Sequence, residues 1–398
     1  MRTNQIPVSN YLSMPINPGI APVAFFLLFP GFFFYHTMLG VGVLSAFIGG
    51  YFSLMSMLLF APLAYAYYVG LKNARYRIIS TDLQFGFFLV YFFFVVVVNA
   101  GFGADTVTVQ SHLLSILYFV NIYLIFNYID FSERKTIFMA LVSLGLMSVL
   151  ILVFSHGGSF QPGQSGGAKS LESVSTYQGF ARSYALTFVA VICFTELAAA
   201  RLVLYATAIV ALFLNGARSE LVAVLLLVPI IEVYRAKNGL QAVCIVLLML
   251  AVVTVGPQTA MEYFPDSRVW ELFYLSRSES AIGRYELTQR ALQTIADHPF
   301  LGAYASYTAG GYSHNILSAW VDLGAFGFIY MLFMLAQAIV WLFVKGWLAK
   351  TESSYFLLAW SLICMSLVLL VSAKTFNDMF LGAAMGAYAN YRFRNRQP

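Results

Sequence analysis

The stretch FFLVYFFFVVVV, residues 87–98, contains only apolar and aromatic side chains. It lies within an apolar run, 83–101, whose length matches the roughly 20 residues that a helix needs to cross the hydrocarbon core of a bilayer. The whole chain follows this pattern, since 60% of its 398 residues are hydrophobic, only 10% are charged and the mean hydropathy is +0.79. A soluble domain carries about 25% charged residues. We therefore predict an all-α polytopic integral membrane protein that does not bind nucleic acid.

About twelve apolar runs are long enough to form transmembrane helices, and together they predict a single transmembrane domain over residues 1–398. The predicted spans are 21–36, 43–69, 83–101, 112–129, 137–155, 178–197, 199–215, 219–234, 240–256, 314–344, 354–373 and 376–391. One assignment has an alternative, because residues 183–214 are interrupted only by Glu196 and Arg201. A single helix over this run would measure about 48 Å, which exceeds the bilayer thickness, so two spans are preferred.

The distribution of lysine and arginine among the loops predicts the orientation of the chain. Most of these residues fall in LKNARYR (71–77), SERK (132–135), YRAK (234–237) and RFRNR (392–396), or at isolated positions on the same side. Cytoplasmic loops are enriched in these residue types. Both termini are therefore predicted to be cytoplasmic. No cleavable signal sequence is apparent before the first span, which is expected to act as its own insertion signal.

Two long segments are predicted on the opposite, exterior side. Residues 156–177 are rich in glycine and serine and are expected to form a flexible loop. Residues 257–313, between the ninth and tenth spans, contain an amphipathic pattern in YELTQRALQTIADHP (285–299). The apolar face of that pattern consists of Leu287, Ala291, Leu292, Ile295 and Ala296. We expect this second segment to fold into a large cap that includes a helix lying on the membrane.

The cysteines give no indication of a metal centre or a disulfide. Cys193, Cys244 and Cys364 all lie in apolar runs, and the sequence has no CxxC motif or Cys/His cluster. Cysteine in such a run most often packs as a small side chain. Neither a bound metal nor another cofactor is predicted.

Arginine on the exterior side is disfavoured near the ends of spans, so a group of arginines there suggests an anionic ligand. Six are predicted on that side, namely Arg182, Arg218, Arg268, Arg277, Arg284 and Arg290. Arginine binds phosphate through two parallel hydrogen bonds and keeps its charge at any working pH, so a pyrophosphate at the headgroup level fits the pattern. The alternative is that these are surface residues paired with nearby acids, and Glu220 would offer Arg218 such a partner.

The segment GGYSHNILSAWVDLGAFG, residues 310–327, places a histidine at the mouth of a predicted span. An imidazole at that position can take a proton from a hydroxyl group near neutral pH, which makes His314 a candidate general base. A lone histidine at the membrane interface more often has no chemical role. The exterior arginines around Arg218 and Arg284 favour the functional interpretation for His314.

Several motifs resemble those of the bacterial O-antigen polymerase and O-antigen ligase superfamily. In chain order they are YQGFARSYAL at 177–186, GARSE at 216–220, GR at 283–284, HPFLG at 298–302, and HN at 314–315 followed by LSAWVDLGAFG. The resemblance in order and spacing covers roughly residues 177–330, and the first half of the chain matches only as apolar spans. GARSE departs from the Ser/Thr–Arg form of its motif, and Asp322 stands where glutamate is more usual.

The resemblance implies a GT-C-like fold and a metal-independent, inverting glycosyltransferase. By position, Arg218 and Arg284, with Arg182, would hold the pyrophosphate of a lipid-linked donor, and His314 would be the base that activates the acceptor hydroxyl. Supporting roles are implied for Asn315, Tyr177, Asp322 and Arg290, although Asp322 has the alternative of a polar anchor between helices. The Phe-rich spans are candidates for an apolar groove that holds the polyprenyl tail.

The expected function is therefore an O-antigen polymerase, which transfers an undecaprenyl-pyrophosphate-linked glycan to a hydroxyl of another lipid-linked repeat unit. The expected location is the bacterial inner membrane, with the active site facing the periplasm. Expected partners are the lipid-linked oligosaccharides, membrane lipids and a chain-length regulator protein. An O-antigen ligase, which would transfer the glycan to lipid A–core, is the nearest alternative. A secondary transporter is less favoured, because transporters place ionisable residues near the bilayer midplane and show repeated halves.

Overall fold

The computed structural model describes residues 19–45, 50–73, 76–156, 158–160, 162, 176–263, 267–272, 279–308 and 311–395. Within these ranges the chain is almost entirely helical. The helices are α1 (Ile20–Gly40), α2 (Tyr51–Lys72), α3 (Ser80–Gly101), α4 (Thr106–Tyr128), α5 (Arg134–Val153), α6 (Tyr177–Phe194), α7 (Ala198–Leu214), α8 (Arg218–Arg235), α9 (Gly239–Tyr263), α10 (Glu279–Asp297), α11 (Leu317–Trp347), α12 (Ser354–Ser372) and α13 (Met379–Arg394). A 3₁₀ turn covers Arg268–Leu272, and two short antiparallel strands, Ser155–His156 and Ser159–Phe160, follow α5.

Seven of the described helices are long and apolar enough to cross a membrane, namely α1 to α5, α11 and α12. This confirms the predicted all-α membrane protein, since a helix satisfies its own backbone hydrogen bonds in the absence of water. α6, α7, α8 and α13 coincide in position with other predicted spans but are shorter or less apolar, and α9, which is 25 residues long, coincides with the predicted ninth span. The total of twelve spans stays a prediction.

The long apolar run at 183–214 forms two helices, as preferred from its length. α6 ends at Phe194 and α7 begins at Ala198. The Arg235 guanidinium donates hydrogen bonds to the carbonyl oxygens of Cys193 and Thr195, both at 2.6 Å. These carbonyls belong to the last turn of α6 and to the residue that caps it, where no partner within the helix is present. Arg235 therefore stabilises the break between the two helices.

Residues 156–177 and 257–313 are described only in part. Most of the predicted flexible loop at 156–177 lies outside the described residues. In the predicted cap, α9 continues to Tyr263, seven residues beyond the predicted end of its span, and α10 begins at Glu279, six residues before the predicted amphipathic pattern. On the apolar face of α10, Ala291 is buried while Leu292 is 45% exposed, so only part of this face packs against protein.

The centre of the bundle is formed by α4, α12 and α13. α13 is buried along almost its whole length although its sequence is rich in small residues. A Cβ atom on Gly386 would lie 2.5 Å from the carbonyl oxygen of Tyr123 in α4, so the two backbones pack too closely for a larger residue. Such close approach through small residues is the usual means of helix packing in membranes.

α11 is kinked at Gly324, where φ is +69° and ψ is −179°. The chain segment that precedes α11 packs against the kink. The backbone N–H of Ala325 donates a hydrogen bond to the carbonyl of Phe300 in that segment at 3.0 Å. Gly302 lies against the same turn of α11 with φ +70°, and a Cβ atom there would lie 2.6 Å from the Trp320 carbonyl oxygen. The predicted span at 314–344 therefore begins later, at Leu317, and is bent. The two segments in contact are HPFLG (298–302) and the LGAFG part of α11 (323–327).

Replacing Gly302 with alanine should destabilise the protein by at least about 2 kcal/mol, because both backbone strain and overpacking oppose the added methyl group. Thermal unfolding of the purified protein in detergent measures the effect. Gly86 on α3 is the matched control, since nothing lies within 4 Å of a Cβ atom at that position. Gly86→Ala should be neutral or slightly stabilising. Equal melting temperatures for the two variants would contradict the packing described here.

Candidate functional site

One end of the bundle collects most of the charged residues singled out by the sequence. We call it the site end, and it contains the starts of α6, α8, α11 and α13. Two ion pairs join these elements, Arg182 with Asp378 at 3.0 Å and Lys374 with Glu220 at 2.7 Å. At the opposite end, Ile20 of α1 packs with Phe393 of α13. The start of α1 and the end of α13 therefore both lie at the end of the bundle opposite the site end.

Arg218 is held at the first position of α8 by the tight turn before it, in which Gly216 has φ +69°. Its guanidinium donates to Glu271 at 2.9 Å and to the hydroxyl of Ser280 at 3.1 Å, and the side chain is mostly buried. Glu220, which the sequence offered as the partner of Arg218, pairs with Lys374 instead. Arg218 thus connects α8 to the 3₁₀ turn and to the start of α10.

One face of α10 lies between Arg218 and the start of α11. Ser280, Arg284 and Thr288 follow one another at intervals of four residues and so occupy neighbouring positions on that face. Ser280 accepts from Arg218, and the hydroxyl of Thr288 accepts a 3.0 Å hydrogen bond from the side-chain amide of Asn315. Arg284 therefore lies between the contact with Arg218 and the segment that carries His314. In the described ranges its guanidinium forms neither an ion pair nor a hydrogen bond.

Asn315 fixes the backbone next to His314. Its side-chain oxygen accepts from the Ser313 hydroxyl at 2.8 Å and from the backbone N–H of Leu317 at 3.0 Å. Its amide group also donates to Thr288 on α10. The side chain of Asn315 therefore joins the start of α11 to the arginine-bearing face of α10, and its predicted supporting role stays a prediction.

His314 is half-buried at the mouth of α11, with its ring 4.8 Å from that of Tyr312. Burial lowers the pKa of this imidazole, and the positive charges of Arg284 and Lys374 lower it further. The ring is therefore neutral near pH 7 and has a nitrogen lone pair that can accept a proton. Asn315, the next residue, donates to Thr288, which lies one helical turn from Arg284, so the segment that carries His314 packs against this part of α10.

Lys374 was not singled out by the sequence, yet it lies at the centre of the site end. It pairs with Glu220, and both side chains are almost completely buried, at 4% and 0% exposure. Lys374 lies in the short segment between α12 and α13, which corresponds to the gap between the predicted spans 354–373 and 376–391. Ionisable residues are rare so close to apolar spans and mark functional positions. That rule, applied to Lys374 and Asp378, was the signal that could have identified them.

Removing the charge of Glu220 alone should be strongly destabilising, because it leaves the Lys374 ammonium buried without a partner. The expected loss for Glu220→Gln is about 3–5 kcal/mol. The double variant Glu220→Gln/Lys374→Met is neutral and of similar volume, so it should recover most of this loss. Unfolding in detergent measures both variants. A single variant as stable as the unmodified protein would show that the pair is not buried.

Arg182 lies at the same end but in a different environment from Arg218 and Arg284. It pairs with Asp378 and lines a cavity of about 320 Å³. Its Nε atom is buried and has no hydrogen-bond partner within the described part of the chain. The sequence grouped Arg182 with the other two as a pyrophosphate ligand. In the structure Arg182 pairs with Asp378 and lines a cavity whose walls include neither Arg218 nor Arg284.

Asp322 makes the contacts of an anchor between α11 and the loop before it. Its carboxylate accepts from the backbone N–H of Ala305 at 3.1 Å and from the Tyr307 hydroxyl at 2.9 Å, and its side chain is only 2% exposed. The ring of His112 on α4 lies 4.0 Å away. These contacts favour the alternative interpretation of Asp322, in which it positions the loop.

The two remaining predicted residues lie at the edges of the site end. The backbone carbonyl of Tyr177 accepts a 2.9 Å hydrogen bond from Asn215, which joins the start of α6 to the turn before α8. Arg290 is exposed on a different face of α10 from Arg284 and lines a separate cavity of about 350 Å³ together with Asp297. Arg268 and Arg277 have side chains outside the described residues.

No group of three or more His, Cys, Asp or Glu side chains within the described ranges is arranged to hold a metal ion. Compared with known proteins, the sequence matches no family model, and no curated protein or solved structure is similar to it. Any functional assignment therefore rests on the arrangement of side chains at the site end. That arrangement combines cationic groups suited to an anion with a neutral imidazole suited to accept a proton.

Proposed function

We propose that this protein is a glycosyltransferase of the O-antigen polymerase type, which uses glycans linked to undecaprenyl pyrophosphate. The main support is the position of Arg284, an arginine without a described partner that lies between Arg218 and His314. A guanidinium that has no carboxylate partner among the described residues and lies near a half-buried imidazole is suited to bind an anion. A diphosphate supplies the missing negative charge.

The cationic groups suit the leaving group of such a transfer. When the bond between the anomeric carbon and the phosphate oxygen breaks, negative charge grows on the diphosphate. The guanidinium of Arg284, with that of Arg218 beyond it on the same face of α10, can stabilise this charge through fixed hydrogen-bond donors. Because Arg218 is already paired with Glu271, Arg284 is expected to contribute more to the stabilisation of the departing diphosphate.

His314 would act on the acceptor. One of its ring nitrogens takes the proton of the acceptor hydroxyl while the oxygen bonds to the anomeric carbon, and the electron pair of the broken carbon–oxygen bond stays on the departing diphosphate. The imidazolium then returns its proton to solvent. The neighbouring cations keep the ring neutral before the donor binds. A bound diphosphate offsets their charge and so makes the imidazole a stronger base at the moment it is needed.

The proposal includes a location and an orientation. The protein would lie in the bacterial inner membrane, with a GT-C-like arrangement of about twelve spans, the site end and its cap in the periplasm, and both termini in the cytoplasm. Basic residues support this orientation, since Lys72, Arg134, Lys345 and Arg394 all lie towards the opposite end of their helices from the site. Partners would be lipid-linked oligosaccharides, membrane lipids and a chain-length regulator.

Deleting the gene and complementing the deletion tests the proposal. Cells without the protein should carry lipid A–core with one repeat unit in place of a ladder of long polysaccharide, and the intact gene should restore the ladder. Polymer that accumulates on its polyprenyl carrier would identify a ligase instead, which uses the same anion site and base with a different acceptor. An unchanged ladder in the deletion strain would exclude both activities.

A further inference from the structure

A polar cavity beside the candidate site has no role in the transfer chemistry described above. Its volume is about 320 Å³, and it lies between α1, α4, the start of α6 and the segment that precedes α13. The ion pair of Arg182 and Asp378 forms part of its wall. Pockets of this size bind small ligands through a few convergent polar groups.

The charge of this cavity argues against a second diphosphate site. The Asp378 carboxylate lies 3.0 Å from the Arg182 guanidinium and neutralises it. An anion bound to Arg182 would be placed next to that carboxylate and repelled by it. The pair still places guanidinium N–H donors and a carboxylate acceptor side by side in the wall of the cavity. A neutral ligand with adjacent hydroxyl groups matches such a pair, because each hydroxyl can both donate and accept.

The other walls match the two kinds of surface on a sugar ring. Gln178 and Asn377 add amide groups that can donate to and accept from hydroxyls, while Phe32, Phe52 and Tyr118 supply aromatic rings for its C–H face. Resting on the proposed glycosyltransferase function, we propose that this cavity binds one monosaccharide unit of the lipid-linked glycan.

The cavity connects to the candidate base through a shared wall. Thr375 and Asn377 also line a second cavity, of about 170 Å³, whose wall includes Tyr312. The ring of Tyr312 contacts that of His314. We infer that a glycan with one sugar beside Arg182 follows this shared wall towards the imidazole, so that the sugar subsite selects which repeat units are aligned for transfer.

Binding of two lipids to the purified protein tests this subsite. The probes are undecaprenyl pyrophosphate without a sugar, and the same lipid carrying the oligosaccharide that accumulates in cells lacking the protein. Gln178→Ala should raise the dissociation constant of the glycan-bearing lipid about tenfold, the effect of one lost hydrogen bond in a buried site. Binding of the bare lipid should change less than twofold. Gln84→Ala, near the opposite end of the bundle, is the matched control and should leave both constants unchanged.

Asp378→Asn is a second variant that should retain the fold. Asp378 caps α13 by accepting from the backbone N–H of Phe380 at 3.1 Å, and asparagine can accept the same bond. The loss of its charge leaves the cavity positive, so affinity for the glycan-bearing lipid should fall at least tenfold while the bare lipid binds as tightly as before or more tightly. Equal weakening of both lipids, or no effect of either variant, would overturn the sugar subsite. Unmodified protein that binds neither lipid would overturn the proposed function with it.

Discussion

Replacing His314 with alanine should abolish glycan transfer while leaving the protein folded and inserted. General base catalysis by a positioned side chain contributes about 10²–10⁴-fold to a rate, and loss of the group should reduce transfer by this factor. In cells, a reduction of this size should remove the long-chain polysaccharide ladder. The variant should fold because His314 precedes α11, and Asn315, which fixes the start of that helix, is unchanged.

The control for this experiment is His298→Ala. His298 is exposed at the end of α10, beside the same cap, and none of the contacts that form the candidate site involves its side chain. Its replacement should leave the ladder intact. A wild-type ladder in cells that carry His314→Ala at normal expression would exclude His314 as the base.

The pH dependence of transfer provides an independent readout of His314. A base must be unprotonated to act, and burial together with two neighbouring cations lowers the pKa of this imidazole below its usual 6.5. The kcat/KM of the purified enzyme, which follows the pKa of the free enzyme, should therefore persist at pH 6.5, where an ordinary histidine is half protonated, and should decline as the pH falls further through the lowered pKa. Loss of half the activity above pH 7 would contradict the electrostatic environment described for His314.

Hydrophobic patterning alone predicted most of the helices, because the bilayer imposes both a length and internal backbone hydrogen bonding on every span. α3 was predicted at 83–101 and is found at Ser80–Gly101. The break between α6 and α7 also followed from length alone. The kink at Gly324 did not, since it depends on a contact with Phe300 that no local pattern reveals.

The candidate site was predictable as a set of residue types but not as an arrangement. Exterior arginine and a histidine at a span mouth are unusual in a membrane protein, so Arg218, Arg284 and His314 could be identified one by one. Their proximity depends on α10, which contacts Arg218 through Ser280, 62 residues later in the chain. Such long-range pairing follows from packing and cannot be read from composition.

The pairing of charges was the least predictable feature. Glu220 is two residues from Arg218, and proximity in sequence suggested that they form an ion pair. At the start of a helix, however, residues two apart point in different directions. Glu220 therefore points into the bundle and pairs with Lys374. Arg218 pairs with Glu271 and contacts α10 instead.

Arg284→Lys should reduce transfer by about 10²–10³-fold, the effect of removing a preorganised donor from a developing oxyanion. Lysine keeps the charge, but it lacks the planar pair of N–H groups that can hold two phosphate oxygens at once. The loss should appear in kcat as well as in substrate binding, because charge on the diphosphate grows as the bond breaks. Arg134→Lys, at an exposed position on the opposite end of the bundle, is the matched control and should have no effect.

The same substitution separates two explanations for a guanidinium that has no partner among the described residues. If Arg284 served only to attract anions to the membrane surface, a lysine would do so equally well, and kcat would stay the same at every salt concentration. If Arg284 holds the leaving group, the loss should persist at high salt, because a diphosphate bound between α10 and His314 is shielded from bulk ions. Measuring transfer by Arg284→Lys and the unmodified protein at low and high ionic strength decides between them. Wild-type kcat in the variant would remove Arg284 from the site and, with it, the main support for a diphosphate donor.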